Sequence, residues 1–210
     1  MSANKDGVMV ILSSPSGAGK TTLVKKISNL RNFKISISYT TRVPRANEVN
    51  GKDYFFINQN DFRNLINKDE LLEHAKVFNN YYGTSKKKVF DLITNGKNVI
   101  FDIDWQGANQ IKQKKLKYKL ITFFIVPPSK KTLINRLSER ENKNASVVEE
   151  RMNNFKKDIS HWNEYDYILI NDNLEICTSE ILKLIDAELK NIKTEINRNK
   201  IKEHIQKLII

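Results

Sequence analysis

Residues 9 to 26 read Met9-Val10-Ile11-Leu12-Ser13-Ser14-Pro15-Ser16-Gly17-Ala18-Gly19-Lys20-Thr21-Thr22-Leu23-Val24-Lys25-Lys26, and the rest of the chain is read outward from them. The apolar run Val10-Ile11-Leu12 predicts a buried strand, the glycines a turn, and Leu23 to Lys26 the start of a helix. This order directs backbone N–H groups to one point at a helix N-terminus, where the helix dipole also favours an anion. Gly17 and Gly19 let the backbone wrap closely, Lys20 reaches the β and γ phosphates, and Thr21 offers a hydroxyl to Mg²⁺. Ser14 stands where the pattern G-x-x-x-x-G-K-[ST] usually begins with Gly, a replacement that holds if the Ser14 backbone has negative φ. An ATP or GTP site over Ser14, Pro15, Ser16, Gly17, Ala18, Gly19, Lys20, Thr21 and Thr22 is the expectation.

A chain of 210 residues with 40% hydrophobic content suits one domain with a buried core. The 36 Lys and Arg against 24 Asp and Glu give +12, which favours anionic ligands without choosing between nucleotides and nucleic acid. Lys and Asn recur throughout, so the excess is spread rather than striped, and no nucleic-acid reading motif accompanies it. Cys177 is the only cysteine, which excludes an internal disulfide and gives no argument for an oxidising compartment. His74, His161 and His204 have no ligand spacing for structural zinc. The segment Met1 to Gly7 lacks the apolar stretch of a signal peptide, and no apolar run reaches membrane-spanning length, so a soluble cytoplasmic protein is expected.

Beyond the first helix, Ile35 to Thr40 alternates as a half-exposed strand. Pro44 excludes a regular helix in the basic stretch that follows, and Asn50-Gly51 predicts a tight turn before Tyr54 to Ile57. Asn60 or Asp61 is expected to cap a short helix through Ile66, Leu71 to Thr84 to form a hairpin, and Ser85 to Leu92 a helix stopping near Asn95-Gly96. This block of short elements reads as an insertion on a core whose further strands are Val99 to Asp104, Leu120 to Val126 and Tyr167 to Ile170. Lys130 to Arg140, a polar break at 141–144, and a helix through Ile159 capped by Ser146 with Glu149 suggest a lid. Ile181, Leu184, Ile185, Ile192 and Ile196 keep helical spacing. Strands alternating with helices predict an α/β domain with a mostly parallel sheet and ligands at the carboxyl ends of its strands.

Asp102 and Asp104 end an apolar strand, and period-two geometry places both on one face, one to organise Mg²⁺ through water and one to meet a substrate. Arg42 and Arg45 flank a proline turn with Tyr54 close behind, which fits either a clamp on a monophosphate or a solvated basic loop. Glu73, in Leu71-Leu72-Glu73-His74-Ala75, is either an acceptor for the adjacent N1–H and N2–H donors of guanine or a solvent-facing strand residue.

The run Ser38-Tyr39-Thr40-Thr41-Arg42-Val43-Pro44-Arg45, then Glu48-Val49-Asn50-Gly51-Lys52-Asp53-Tyr54, Tyr81-Tyr82-Gly83-Thr84 and Asp102-Ile103-Asp104 with Gln106-Gly107, resembles guanylate kinase. The likeness runs in order from about Val8 to Asp172. It implies a fold of the P-loop NTPase type, a mostly parallel sheet flanked by helices. The implied divisions are a core (1–34, 93–126 and 160–190), a small mixed α+β GMP-binding insertion (35–92), a helical lid (127–159) and a basic tail (191–210). It implies transfer of the γ-phosphoryl of ATP to GMP with Mg²⁺ bound through Thr21 and, by way of water, Asp102. Arg42, Arg45, Tyr54 and Tyr82 would hold the GMP phosphate, and Ser38, Glu73, Thr84 and Asp104 would read or position guanine. Lys20 with the lid arginines Arg136, Arg140 and Arg151 would act on the transferring phosphoryl, with Asn171 near adenine.

The family often has Gly after the second lid arginine, where this chain has Glu141. Three other readings remain open on the residues: a non-catalytic interaction module of the same fold, a kinase of another nucleoside monophosphate, and a nucleic-acid binder driven by charge. The intact Gly17, Gly19, Lys20 and Thr21 weigh against the first, and Glu73 with the Arg42–Arg45 segment against the second. ATP and GMP are thus the expected partners, with dGMP tolerance open and no nucleic acid or membrane partner. The apolar residues Ile201, Ile205, Leu208 and Ile209 of the tail keep helical spacing, and the expectation is a helix docked on its own domain or a partly frayed end, with packing on another subunit as the alternative.

Overall fold

A computed structural model describes residues 6–140 and 144–209. Its larger sheet has five strands in the order β2-β7-β1-β8-β9, formed by β1 (Met9–Ser13), β2 (Lys34–Ser36), β7 (Val99–Asp102), β8 (Leu120–Val126) and β9 (Tyr167–Ile170). The pairs β2–β7 and β8–β9 are parallel, with Lys34 opposite Val99 and Phe123 opposite Tyr167. All five residues of β1 are buried, as are six of the seven in β8, which is why these segments are dominated by apolar residues and do not alternate, Ser13 and Thr122 being their buried polar members. A second sheet of four strands has the order β4-β3-β6-β5, made of β3 (Tyr39–Thr40), β4 (Phe55–Phe56), β5 (Leu71–Val77) and β6 (Asn80–Ser85). The fold is α/β, as expected.

The chain divides into two compact units. One comprises residues up to Val10 together with Asn32–Leu120, and the other Ile11–Arg31 together with the residues from Ile121 onward. In the first, α2 (Gln59–Asn67), α3 (Lys86–Thr94) and α4 (Trp105–Gln113) accompany the second sheet. Phe78 and Asn79 both take positive φ, 46° and 63°, and turn β5 back into β6 through a two-residue hairpin loop. Gln110 of α4 accepts the backbone N–H of His74 at 3.0 Å and donates to its carbonyl at 2.7 Å, so α4 satisfies the β5 backbone beside Glu73. The other unit holds α1 (Lys20–Arg31), α5 (Lys130–Arg140), α6 (Ala145–Ser160), a 3₁₀ turn (His161–Glu164), α7 (Leu174–Leu189) and α8 (Arg198–Ile209). Lys26–Glu175 and Arg31–Asp186 ion pairs join α1 to α7.

Several expectations need correction. The alternating stretch from Ile35 is two strands: Ile35 and Ser36 pair with β7 in the parallel sheet, while Tyr39 and Thr40 pair with β6 in the other. Alternation is the same in both settings, so it cannot mark the switch. The cap of α2 is Asn58, whose Oδ1 accepts Asp61 N at 2.8 Å, and not Asn60 or Asp61. The cap of α6 is Asn144 and not Ser146, whose hydroxyl instead donates to Asn144 Oδ1. In both helices an Asn amide oxygen reaches the N–H three residues on. β7 ends at Asp102, and Asp104 is the N-cap of α4, accepting Gly107 N at 3.0 Å, so the shared strand face expected for the two carboxylates does not exist. α7 stops at Leu189, where Lys190 and a left-handed Asn191 close it, which leaves Ile192 and Ile196 outside any helix. Glu141 and most of the polar break, 141–143, lie outside the described residues.

The tail forms α8, and Ile201, Ile205 and Leu208 are buried against their own chain. Arg198 Nη2 donates to Tyr165 O at 2.9 Å, and His204 Nε2 donates to Pro127 O at 2.9 Å. Among the described residues no helix is long and apolar enough to cross a membrane.

Candidate active site

β1 delivers the chain into the loop Ser14–Gly19, and α1 starts at Lys20. Gly17 (φ 88°) and Gly19 (φ 92°) take the left-handed backbone that this wrap requires. A Cβ on Gly19 would stand 2.4 Å from Asn171 Nδ2, so the second glycine is also needed for close approach. Ser14 is not among the residues with positive φ, the condition under which Ser can open the motif, and its hydroxyl donates to Pro15 O at 2.8 Å. The first turn of α1 carries no acidic residue, so the positive end of its dipole is not offset there. Thr21 and Thr22 are exposed on that turn.

Arginines expected of a lid reach this loop from two helices. Arg140 of α5 and Arg151 of α6 both donate to Ser16 Oγ, at 3.1 and 2.7 Å. Arg136 of α5 donates to Asn171 O at 3.3 Å. Asn171 itself is buried at the end of β9, and its Nδ2 donates to Ala18 O at 2.8 Å, tying the loop to the strand. This tether is a contact that the expected place near adenine did not include.

In the other unit, Arg42 Nη2 donates to both carboxylate oxygens of Glu48 at 2.8 and 2.9 Å, and the Arg42 guanidinium lies 5.4 Å from the Tyr54 ring centre. Burial alone would raise the Glu48 carboxyl, but the hydrogen bonds from Arg42 and from the Arg45 backbone outweigh it and hold Glu48 below the usual carboxylate range. Tyr54 meets Tyr82 edge to face at 6.0 Å. Burial, with the Asp102 charge adding to it, pushes the Tyr54 phenol upward, so it stays protonated and can donate to an anion. Arg42, Arg45, Tyr54 and Tyr82 are thus one cluster and not a solvated loop.

Glu73 is only 3% exposed, which excludes a solvent-facing strand residue. Thr84 Oγ1 donates to its Oε1 at 2.6 Å, across the β5–β6 pairing that sets Glu73 opposite Thr84. Gly107 opens a notch for the carboxylate: a Cβ there would stand 2.4 Å from Glu73 Oε2. On the guanine-reading role that the resemblance implies for Glu73, Gly107→Ala is expected to displace the Glu73 carboxylate and raise the KM for GMP roughly 10- to 100-fold with the KM for ATP unchanged; initial rates against each nucleotide check this. Ser38 is buried at the start of the same sheet, and the carboxylate of Asp104 is engaged by Gln106 Nε2 and Gly107 N. Glu48 and Gly107 carry part of the resemblance, but neither was given a role from sequence. Their signal was present, since Glu48 follows Arg45 by three residues and Gly107 follows the Asp104 cap by three.

The guanylate kinase family model matches residues 6–188. A guanylate kinase of Buchnera aphidicola subsp. Baizongia pistaciae is 44% identical over 196 residues, covering 92% of this chain and 94% of that protein. That of Blochmanniella floridana is 49% identical over 173 residues, 81% of each chain. The crystal structure of guanylate kinase from Anaplasma phagocytophilum aligns with a TM-score of 0.71 at 33% identity, over 88% of this chain and 87% of that one. Matched in sequence over nearly its whole length and in fold with a solved member, the chain belongs to the guanylate kinase family.

Proposed function

We infer that this protein transfers the γ-phosphoryl of ATP to GMP, giving ADP and GDP by direct in-line displacement. The observation that carries the phosphoryl-transfer chemistry is the meeting of Arg140 and Arg151, from two helices, on Ser16 of the phosphate loop. Ser14 to Thr22 bind the ATP phosphates, Lys20 and the arginines Arg136, Arg140 and Arg151 stabilise charge on the transferring group, and Asn171 holds the loop toward the adenine side. Arg42, Arg45, Tyr54 and Tyr82 take the GMP phosphate, while Ser38, Glu73, Thr84 and Asp104 read or position the base. An ionised phosphate oxygen of GMP is the nucleophile, so no protein nucleophile or strong base is required. The lone thiol agrees: Cys177 is buried and pushed up to about 12, first by burial and then by Glu180, and stays protonated.

The oxygen donors assigned to Mg²⁺, the exposed Thr21 hydroxyl and, through water, the Asp102 carboxylate, suit a hard cation that keeps most of its waters. Bound with ATP, Mg²⁺ supplies charge neutralisation at the phosphates. The core, the GMP-binding insertion beginning after β2, and the lid over 127–159 are the functional divisions we assign. A cytoplasmic location fits the unpaired buried thiol. Self-association through the tail would have to use its basic face, since Ile201, Ile205 and Leu208 are already covered.

In a mixture of ATP, GMP and Mg²⁺, anion-exchange separation is expected to show ADP and GDP rising in equal amounts. ADP rising without GDP would remove the reading.

A further inference from the structure

The acceptor-phosphate cluster contains a charged group with no place in the assignment above. Glu48 Oε1 and Oε2 accept Arg42 Nη2 at 2.8 and 2.9 Å. Oε2 also accepts the Arg45 backbone N–H at 2.8 Å, and Oε1 accepts Arg45 Nη1 at 3.3 Å. Glu48 N returns a bond to Arg45 O at 3.0 Å, closing the turn. One carboxylate therefore engages both guanidiniums and the backbone between them. The Arg42–Glu48 pair is withdrawn from water, with side chains 14% and 16% exposed, while Arg45 is 36% exposed.

Two guanidiniums three residues apart repel each other and, unsupported, sample many rotamers. An acceptor shared by both removes the repulsion and fixes their spacing. The rest of Arg42 is held as well: Nη1 donates to Val43 O at 2.8 Å, and the guanidinium lies near the Tyr54 and Phe56 rings, 5.4 and 5.8 Å from their centres. The geometry that a phosphate monoester would meet is thus set before it arrives.

We propose that Glu48 is a positioning residue for the acceptor phosphate: it locks Arg42 and Arg45 into one fixed pair that recognises the phosphate monoester of the nucleotide. This rests on the reading of the cluster as the GMP-phosphate site. It predicts that Glu48 matters only for the part of the substrate that carries the phosphate. Glu48→Gln keeps the side-chain volume and removes the charge that the two guanidiniums share.

The experiment compares wild type and Glu48→Gln in initial rates against GMP and ATP, and in inhibition by guanosine, which keeps the base and lacks the phosphate. The expected result is a KM for GMP raised roughly 10- to 100-fold, with the guanosine inhibition constant and the KM for ATP unchanged. Equal weakening of GMP and guanosine would reduce Glu48 to a structural support and overturn the proposal. So would an unchanged KM for GMP, and a lowered one would show the carboxylate competing with the phosphate. If Glu48→Gln does not fold, as read by its melting transition, Glu48→Asp carries the same comparison, since it keeps the charge but cannot reach both guanidiniums. Wild-type enzyme that fails to turn over GMP would instead remove the underlying site reading, so the two failures are distinct.

Discussion

Replacing Lys20 with Met is expected to lower turnover by about 10³-fold while leaving GMP affinity within about twofold. Met matches the length of Lys and removes only its charge and donors. Lys20 is the first residue of α1, directly after the left-handed Gly19, at the end of a loop whose two glycines remain in place in the variant. On the proposed role of Lys20, loss of the ammonium removes charge stabilisation at the phosphoryl group while Gly17 and Gly19 still shape the loop. The residues assigned to GMP belong to the other compact unit and have no part in this change. Steady-state rates together with calorimetric titration of GMP check the expectation. An equal loss of GMP binding would contradict the separation of donor and acceptor residues.

The second large effect is at the base. Glu73→Gln is expected to weaken GMP about 100-fold and leave ATP unaffected. The buried carboxylate presents acceptors only, which suits the paired N1–H and N2–H donors of guanine, and Thr84 already holds one oxygen in place at 2.6 Å. Gln puts an NH₂ group where an acceptor is needed, so a donor faces a donor in a site closed to water. Titration of both variants with GMP and ATP measures this directly, and unchanged GMP affinity would take Glu73 out of base recognition.

The parts of the fold that were legible in sequence are those fixed by local chemistry. The strongly apolar stretch Leu120–Val126 is β8 as read, because a strand covered on both faces selects apolar residues, and its one polar residue, Thr122, is buried with its hydroxyl bonded to Asp166 Oδ2 at 2.7 Å. Lys130–Arg140 is α5 to the residue, because Pro127, Pro128 and the Ser129 cap, whose Oγ accepts Thr132 N at 3.0 Å, leave one starting point. What was not legible depends on distant partners. Nothing local tells Ser36 to pair with Phe101 and Tyr39 to pair with Gly83. Asp104 looked like a second strand carboxylate because a capping Asp and a strand-end Asp have the same neighbours in sequence.

The site divides in the same way. The phosphate loop was readable because its glycines, lysine and threonine are contiguous; Arg42, Arg45 and Tyr54 could be read locally as a clamp or a solvated loop, and the resemblance supplied Tyr82 and the lid arginines. That Arg140 and Arg151 share Ser16, or that Gly107 makes room for Glu73, are contacts across more than 30 residues of sequence, and only the folded chain shows them.

The most direct test of the central claim is coupled ADP release with ATP and Mg²⁺, offering GMP, AMP, CMP and UMP side by side. Turnover with GMP at least 100-fold above the other three is the expected result. Turnover with another monophosphate instead, or with none despite folded protein that binds ATP, would contradict it.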